Sequence, residues 1–286
     1  MRVQTFLPSP SFAESAAVLD DRRLGKQRVE VLQILRALHL EGYGWQGHPA
    51  VLMWRGCTRA LVAYGLAVVA EWTARGHRDA TAAAIAEFTS PQPAVDAARP
   101  PADERPPWLG WAPLHRSHQA ALVRKDPQRY RALFPDVPAD LPYAWPPPPA
   151  AAPAAEPLAA WVVRAVSPRQ LVAFRDGGVV GVPAAFGADG DTPKRRRQRQ
   201  RLCRDAAWGD RVVVPAGDDL HLGVLAGPVE ERTVDGAALL VRPVRWWATV
   251  PRAALRRPYQ LQDPQLVFAL RGEPALAVAR GAAAGA

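Results

Sequence analysis

The sequence predicts an α+β protein of two domains, an N-terminal all-α helical domain followed by a small β-barrel. The 286 residues are 49% hydrophobic, enough apolar material for two cores. Apolar residues recur at helical spacing as far as Trp145, and beyond it the pattern changes to short runs rich in Val and Leu. Between the two lies a Pro/Ala tract that suits neither a helix nor a central strand and reads as a semi-rigid linker. The expected boundaries are 1–145 for the helical domain, 146–157 for the linker, 158–272 for the barrel and 273–286 for a disordered tail.

Val3 to Leu7 reads as an extended lead-in, and Ser9-Pro10 supplies an N-cap with proline at the first helical position. A first helix is expected from about Ser11 to Arg23, with Gly25 kinking the chain before a second that reaches Leu40. Within the second, Leu24, Val31, Leu35 and Leu38 form one apolar stripe, Arg28 falls on that stripe, and Lys26 and Glu30 share the adjoining face. These residues fit two descriptions. One is an exposed Lys26/Glu30 pair with Arg28 reaching along the rim to water; the other is a site facing a polyanion. Gly42, Gly44 and Gly47 make a loop that carries Trp45 and His48. A long apolar helix is expected over Ala50 to Arg75, capped by Gly76, and a shorter one over Asp79 to Phe88. Ser90 to Pro107 reads as a surface loop.

The stretch Leu114 to Lys125 reads as a basic helix stopped by Asp126-Pro127. Leu114, Ala121 and Leu122 turn inward, and Arg116, His118, Arg124 and Lys125 are left outside. Tyr130, Phe134, Tyr143 and Trp145 follow. Cations interleaved with aromatics suit nucleic acid, since cations take phosphates and rings take unstacked bases; they equally suit a solvated helix over a small aromatic core. In the barrel, runs at Trp161 to Ala165, Gly178 to Val182, Arg211 to Val214, Leu222 to Leu225 and Ala237 to Val244 are the expected strands. Lys194 to Arg201 is a dense cationic stretch with no evident apolar face.

The formal charge of +9 and a pI near 10.3 point to an acidic partner such as nucleic acid. Cys57 and Cys203 lie far apart, which supports neither a disulfide framework nor a zinc site. The segment after Arg2 holds Pro8 and Pro10 where a signal peptide needs an apolar core, and the longest apolar run is too short for a bilayer, so a cytoplasmic location away from membranes is expected. No phosphate loop, nucleophile elbow or paired-histidine metal motif is present, and no cofactor or metal is expected.

The segments Leu19 to Glu30, His48 to His77 and His115 to Tyr130 resemble the pyrimidine-dimer DNA glycosylase family. The likeness is closer to a bacterial branch that shares Arg23-Leu24-Gly25-Lys26-Gln27-Arg28 and His115-Arg116-Ser117-His118. It implies an enzyme that flips a base from damaged DNA, attacks the sugar C1′ with an amine, forms an imine and cleaves the strand with help from a glutamate. The amine is expected to be the Met1 α-amine or Lys26, because Thr5 lies inside the chain, and the glutamate is expected to be Glu30. Arg22, Arg23, Arg28, Trp45, His48, His115, Arg116, His118, Arg124, Lys125 and Tyr130 are the expected nucleic-acid contacts.

Trp161 to Ala165, Gly209 to Val213 and Arg242 to Pro251 resemble PUA/EVE-type modules, and more closely the N-terminal modules of Mrr-type restriction proteins. That resemblance implies a pocket for a flipped or modified base, with Trp161, Arg164, Trp208 and Trp246 as its candidates. The expected function is a DNA glycosylase, with or without abasic-site lyase activity, acting in repair or phage defence. The alternative is a protein that binds modified DNA, or RNA, without catalysis.

Overall fold

The structure, a computed structural model, describes residues 4–89, 105–146, 158–185 and 191–272. The chain divides into two compact units, Met1–Pro153 and Ala154–Ala286. Met1, most of the expected loop after Ser90, nearly all of the expected linker and the whole of the expected tail lie outside the described residues.

The first unit is helical: α1 (Phe12–Ala17), α2 (Asp21–His39), α3 (Pro49–Leu52), α4 (Thr58–Ala74), α5 (Ala82–Ala86), α6 (Ala112–Lys125) and α7 (Pro127–Leu133). The expected first helix is shorter than its sequence pattern and ends at Ala17. Asp20 starts a new helix by accepting from the Arg23 N–H at 3.0 Å, an N-cap that settles one of the orphan donors at a helix start. Gly25 does not kink α2. It makes room for the Trp72 indole of α4, which would lie 2.9 Å from a Cβ at that position.

Gly65 on α4 serves the same end, since a Cβ there would meet Val31 Cγ1 at 2.6 Å. The two helices therefore approach closely along the Val31 face of α2. The expected long helix from Ala50 splits into α3 and α4 because the chain turns through Gly56 at φ +78°. Gly76, at φ +87°, follows α4 in the left-handed conformation that glycine adopts without a Cβ penalty. Phe12, Trp54, Tyr64 and Trp108 form an aromatic core, with Trp54 stacked on Tyr64 at 5.8 Å and edge-on to Trp108 at 4.8 Å.

The second unit is a curled mixed sheet with helical segments packed around it. Its strands are β1 (Leu158–Val163), β2 (Val179–Pro183), β3 (Arg211–Ala216), β4 (Asp219–Leu225), β5 (Glu230–Val234), β6 (Ala237–Pro251) and β7 (Val267–Arg271). The order is β2-β6-β4-β3-β1-β7, with β5 also on β6. Only the β1/β3 pair is parallel. The barrel expectation is coarser than what the chain does: among the described residues the sheet order runs from β2 to β7 without closing. Curl comes from β6, whose first half pairs β2 and β5 and whose second half pairs β4 after a register shift at Leu222/Gly223.

Alternate residues of β1 and β3 feed opposite faces. Trp161, Val163, Val212 and Val214 enter one core, and Ala160, Val162 and Val213 enter the other. The helical segments include α8 (Pro168–Asp176), α9 (Pro193–Gln200), a π-turn, Arg201–Asp205, continuing α9, and two 3-10 turns, Arg252–Ala254 and Pro258–Gln262.

Candidate active site

From Gln4 the N-terminal segment has no strand partner among the described residues, and side chains of three helices take up its backbone groups. Gln27 Nε2 donates to Gln4 O at 3.1 Å, Tyr64 OH to Phe6 O at 2.6 Å, and Gln119 Nε2 to Pro8 O at 2.8 Å. Leu7 is held at both ends: its N–H donates to His118 Nδ1 at 2.9 Å, and its carbonyl accepts from His115 Nδ1 at 2.7 Å. His115 Nε2 accepts from Gly110 N–H at 3.0 Å, which fixes the proton on Nδ1.

His118 must be the opposite tautomer, with its proton on a buried Nε2 that has no hydrogen-bond partner. Burial holds the His115 imidazole below its usual range. Burial, with His115 adding to it, brings His118 down to about 3. The expectation that His118 faces outward is thus corrected: it is fully buried, because Leu7 and the rings of Tyr143 and Trp145, each 5.5 Å away and edge-on, enclose it.

That clamp brings Gln4 to α2. Glu30, on the face one turn beyond Lys26, is 3% exposed and ion-paired with Lys26 Nζ at 3.2 Å. Burial pushes its carboxyl above the usual range, against the opposing pull of Lys26, the Gln4 N–H and Lys125. Lys125, at the end of α6, is its second cationic neighbour, and burial together with Lys26 and Arg23 moves that amine down. Tyr143 is stacked on Trp145 at 5.0 Å and is pushed up to about 12, first by burial, with Glu30 contributing. A largely buried carboxyl is therefore paired with the Lys26 amine, with Lys125 and Tyr143 within electrostatic reach, a donor set suited to proton transfer next to amine attack.

Arg28 does not join them. It lies two residues from both Lys26 and Glu30, hence on the other side of α2, where it donates to Asp79 Oδ1 at 2.6 Å and sits 4.9 Å from the Trp72 ring centre. Asp79 is held at about 2: burial opposes this, but Thr81 Oγ1, the Ala82 and Thr81 N–H groups and Arg28 outweigh it. Arg23 is likewise engaged, pairing with Asp20 and lying 5.3 Å from the Tyr130 ring centre.

Tyr130 is fully buried and donates to Asp20 Oδ2 at 2.6 Å, so it has no face for a base. Arg124 gives its donors to Ala139 O and Leu141 O, each at 2.6 Å, and Arg116 donates to Asp136 O at 2.9 Å. Arg22 and Trp45 are exposed, and His48 caps α3 by accepting from Ala50 N–H at 3.2 Å. A cleft of about 670 Å³ opens beside Pro8, Arg116 and Phe134, and Glu30 does not line it.

In the second unit, Trp161 is buried and donates to Asp210 Oδ2 at 3.0 Å. Trp246 packs on the same core, with a buried Nε1 that has no hydrogen-bond partner. Arg164 belongs elsewhere, donating to the carbonyls of Leu261 and Asp263 over the Phe268 ring. Trp208 is 71% exposed.

Sequence reading missed the neighbourhood of Lys125 to Glu30 and the role of Gln27. The second left a signal, since Gln27 interrupts the inward series Leu24, Gln27, Val31 and Ile34. The first left none, because 95 residues separate Glu30 from Lys125. No metal-binding cluster occurs among the described residues, and no described helix is long and apolar enough to cross a membrane.

No curated protein and no solved structure matches this chain. The family description of pyrimidine dimer DNA glycosylase matches residues 3–84, the stretch that carries the clamped N-terminal segment, Lys26 and Glu30.

Proposed function

We propose that the chain is a DNA glycosylase that removes a damaged pyrimidine at the Lys26/Glu30 site. One observation carries this reading: Glu30 is buried, raised toward its protonated form and paired with an amine at 3.2 Å, inside the segment that matches a DNA glycosylase family. A structural ion pair would be better served by an exposed carboxylate, because burying a charge costs more than such a pair returns.

In this mechanism an unprotonated amine uses its lone pair to attack the sugar C1′. The C1′–N bond breaks, and the departing base takes a proton from the Glu30 carboxyl. The amine nitrogen passes one proton to O4′ as the C1′–O4′ bond opens, which leaves a protonated imine and an O4′ hydroxyl. The Glu30 carboxylate then removes a C2′ proton, and the 3′ phosphate leaves by β-elimination. Lys125, shifted down by burial and by its cationic neighbours, supplies more free amine at neutral pH than an ordinary lysine, so Lys26 and Lys125 are both candidates. Exposed Arg22 and Trp45 contact the DNA, and the second unit takes up a modified base outside the stack.

Borohydride trapping on abasic DNA tests the proposal. A covalent adduct is expected, and its loss in Lys26→Ala, in Lys125→Ala or on acetylation of the N-terminus identifies the amine. Binding without any adduct would overturn the lyase step. Absence of base release from irradiated DNA as well would leave the non-catalytic binding reading.

A further inference from the structure

The cationic stretch of the second unit has a definite orientation. Between Asp191 and Asp205 the chain carries seven Lys or Arg residues against those two aspartates, an excess of five out of the chain's nine. α9 and its π-turn dock through one face: Gln198 Oε1 accepts from Leu266 N–H at 2.6 Å, Arg201 donates to Gln265 Oε1 at 2.9 Å and to Val267 O at 3.0 Å, and Leu202 enters the core. Docking at 198, 201 and 202 leaves Arg196, Gln200 and Arg204 exposed, with Arg197 beside them; Arg196 Nη1 donates to Asp191 O at 2.7 Å, which uses one of the five donors of its guanidinium. Arg196 lies on α9 and Arg204 on the π-turn that continues it, about two turns further along.

Immediately after the π-turn the chain presents Trp208 to solvent on a turn held at several points. Ala207 N–H donates to Asp210 Oδ2 at 2.8 Å, Gly209 turns at φ +88° and donates to Leu225 O at 2.9 Å, and Asp210 also holds Trp161. The backbone that carries this 71% exposed indole is fixed, so a stacking partner has only the side chain to order.

We propose that this face binds single-stranded nucleic acid, with Arg196 and Arg204 taking backbone phosphates and the Trp208 indole stacking on an unpaired base. Such surfaces combine sequence-blind cations with aromatic platforms. This binding does not depend on the chemistry at Glu30.

The test uses the full chain and fluorescence anisotropy of labelled single-stranded DNA and RNA, a duplex, and a single strand of tetrahydrofuran abasic analogues, which form no imine, each titrated with salt. Arg196→Gln/Arg204→Gln is expected to weaken single-strand binding at least about tenfold and to reduce the log–log salt slope by about 1.4, two contacts at about 0.7 each. Trp208→Ala is expected to cost about 5- to 150-fold on single strands, with the slope unchanged and no loss on the abasic strand.

The DNA and RNA arms identify the natural strand. Wild-type affinity and slope in both variants would overturn the proposal, as would equal losses on duplex and single strand. Borohydride trapping in the same variants at saturating DNA is expected to stay at the wild-type level, so failure here and failure of the glycosylase reading are separable.

Discussion

Lowering the pH should detach the N-terminal segment through His118, and the size of the effect follows from its surroundings. His118 accepts from Leu7 N–H at 2.9 Å and titrates at about 3 instead of 6.5, because burial penalises the imidazolium. A depressed histidine contributes stability that is whole above pH 6.5 and is lost as the pH falls from there toward 3, since the unfolded chain binds the proton first. Each unit in that window costs about 1.4 kcal/mol, so going from pH 7.5 to 5.0 removes about 2 kcal/mol, out of a full penalty of about 5 kcal/mol.

His115 shifts the same way, whereas Asp20 and Asp79, both held at about 2, do not titrate in this range. Urea melts at pH 7.5, 6.0 and 5.0 on the wild type and His118→Asn measure it. Asparagine can keep an acceptor for Leu7 and has no proton to take up. The wild type should lose about 2 kcal/mol more than the variant over that interval. Equal losses would refute the account, and with it the idea that the histidine pair aligns Gln4 with Glu30.

Glu30→Gln should lower base release by about 10²- to 10⁴-fold while leaving the protein as stable or more so at pH 8. Its folded value is raised, so the stability it contributes below about 4.5 disappears as the pH climbs through the folded value, and an amide escapes that loss. Turnover retained in this variant would remove Glu30 from the mechanism. Arg28→Ala should cost about 1–3 kcal/mol in a urea melt and leave DNA affinity unchanged, because Arg28 ties α2 to Asp79 and to the Trp72 ring. Weakened binding with unchanged stability would instead return Arg28 to the phosphate-contacting role expected from sequence.

Local chemistry was legible along the chain. The i,i+4 spacing of Lys26 and Glu30 predicted a shared face, and they pair at 3.2 Å. Gly76 marked the end of α4, and five of the seven strands were readable as Val- and Leu-rich runs. β5, with the polar sequence Glu-Glu-Arg-Thr-Val, carries no apolar alternation and was invisible. β7 is a single short run, readable only once β1 stands beside it.

What the sequence determined by itself was therefore periodic: helix faces, caps, the change from helical to strand spacing, and an excess of cations in want of a polyanion. Which of those cations are spoken for was decided by tertiary structure, since Arg23, Arg28 and Arg124 are committed to partners within the fold. The buried state of Glu30 and the clamping of Leu7 by His115 and His118 were decided there too. The physical reason is that desolvation and long-range hydrogen bonding depend on neighbours about a hundred residues away in the chain, and local periodicity carries no record of them.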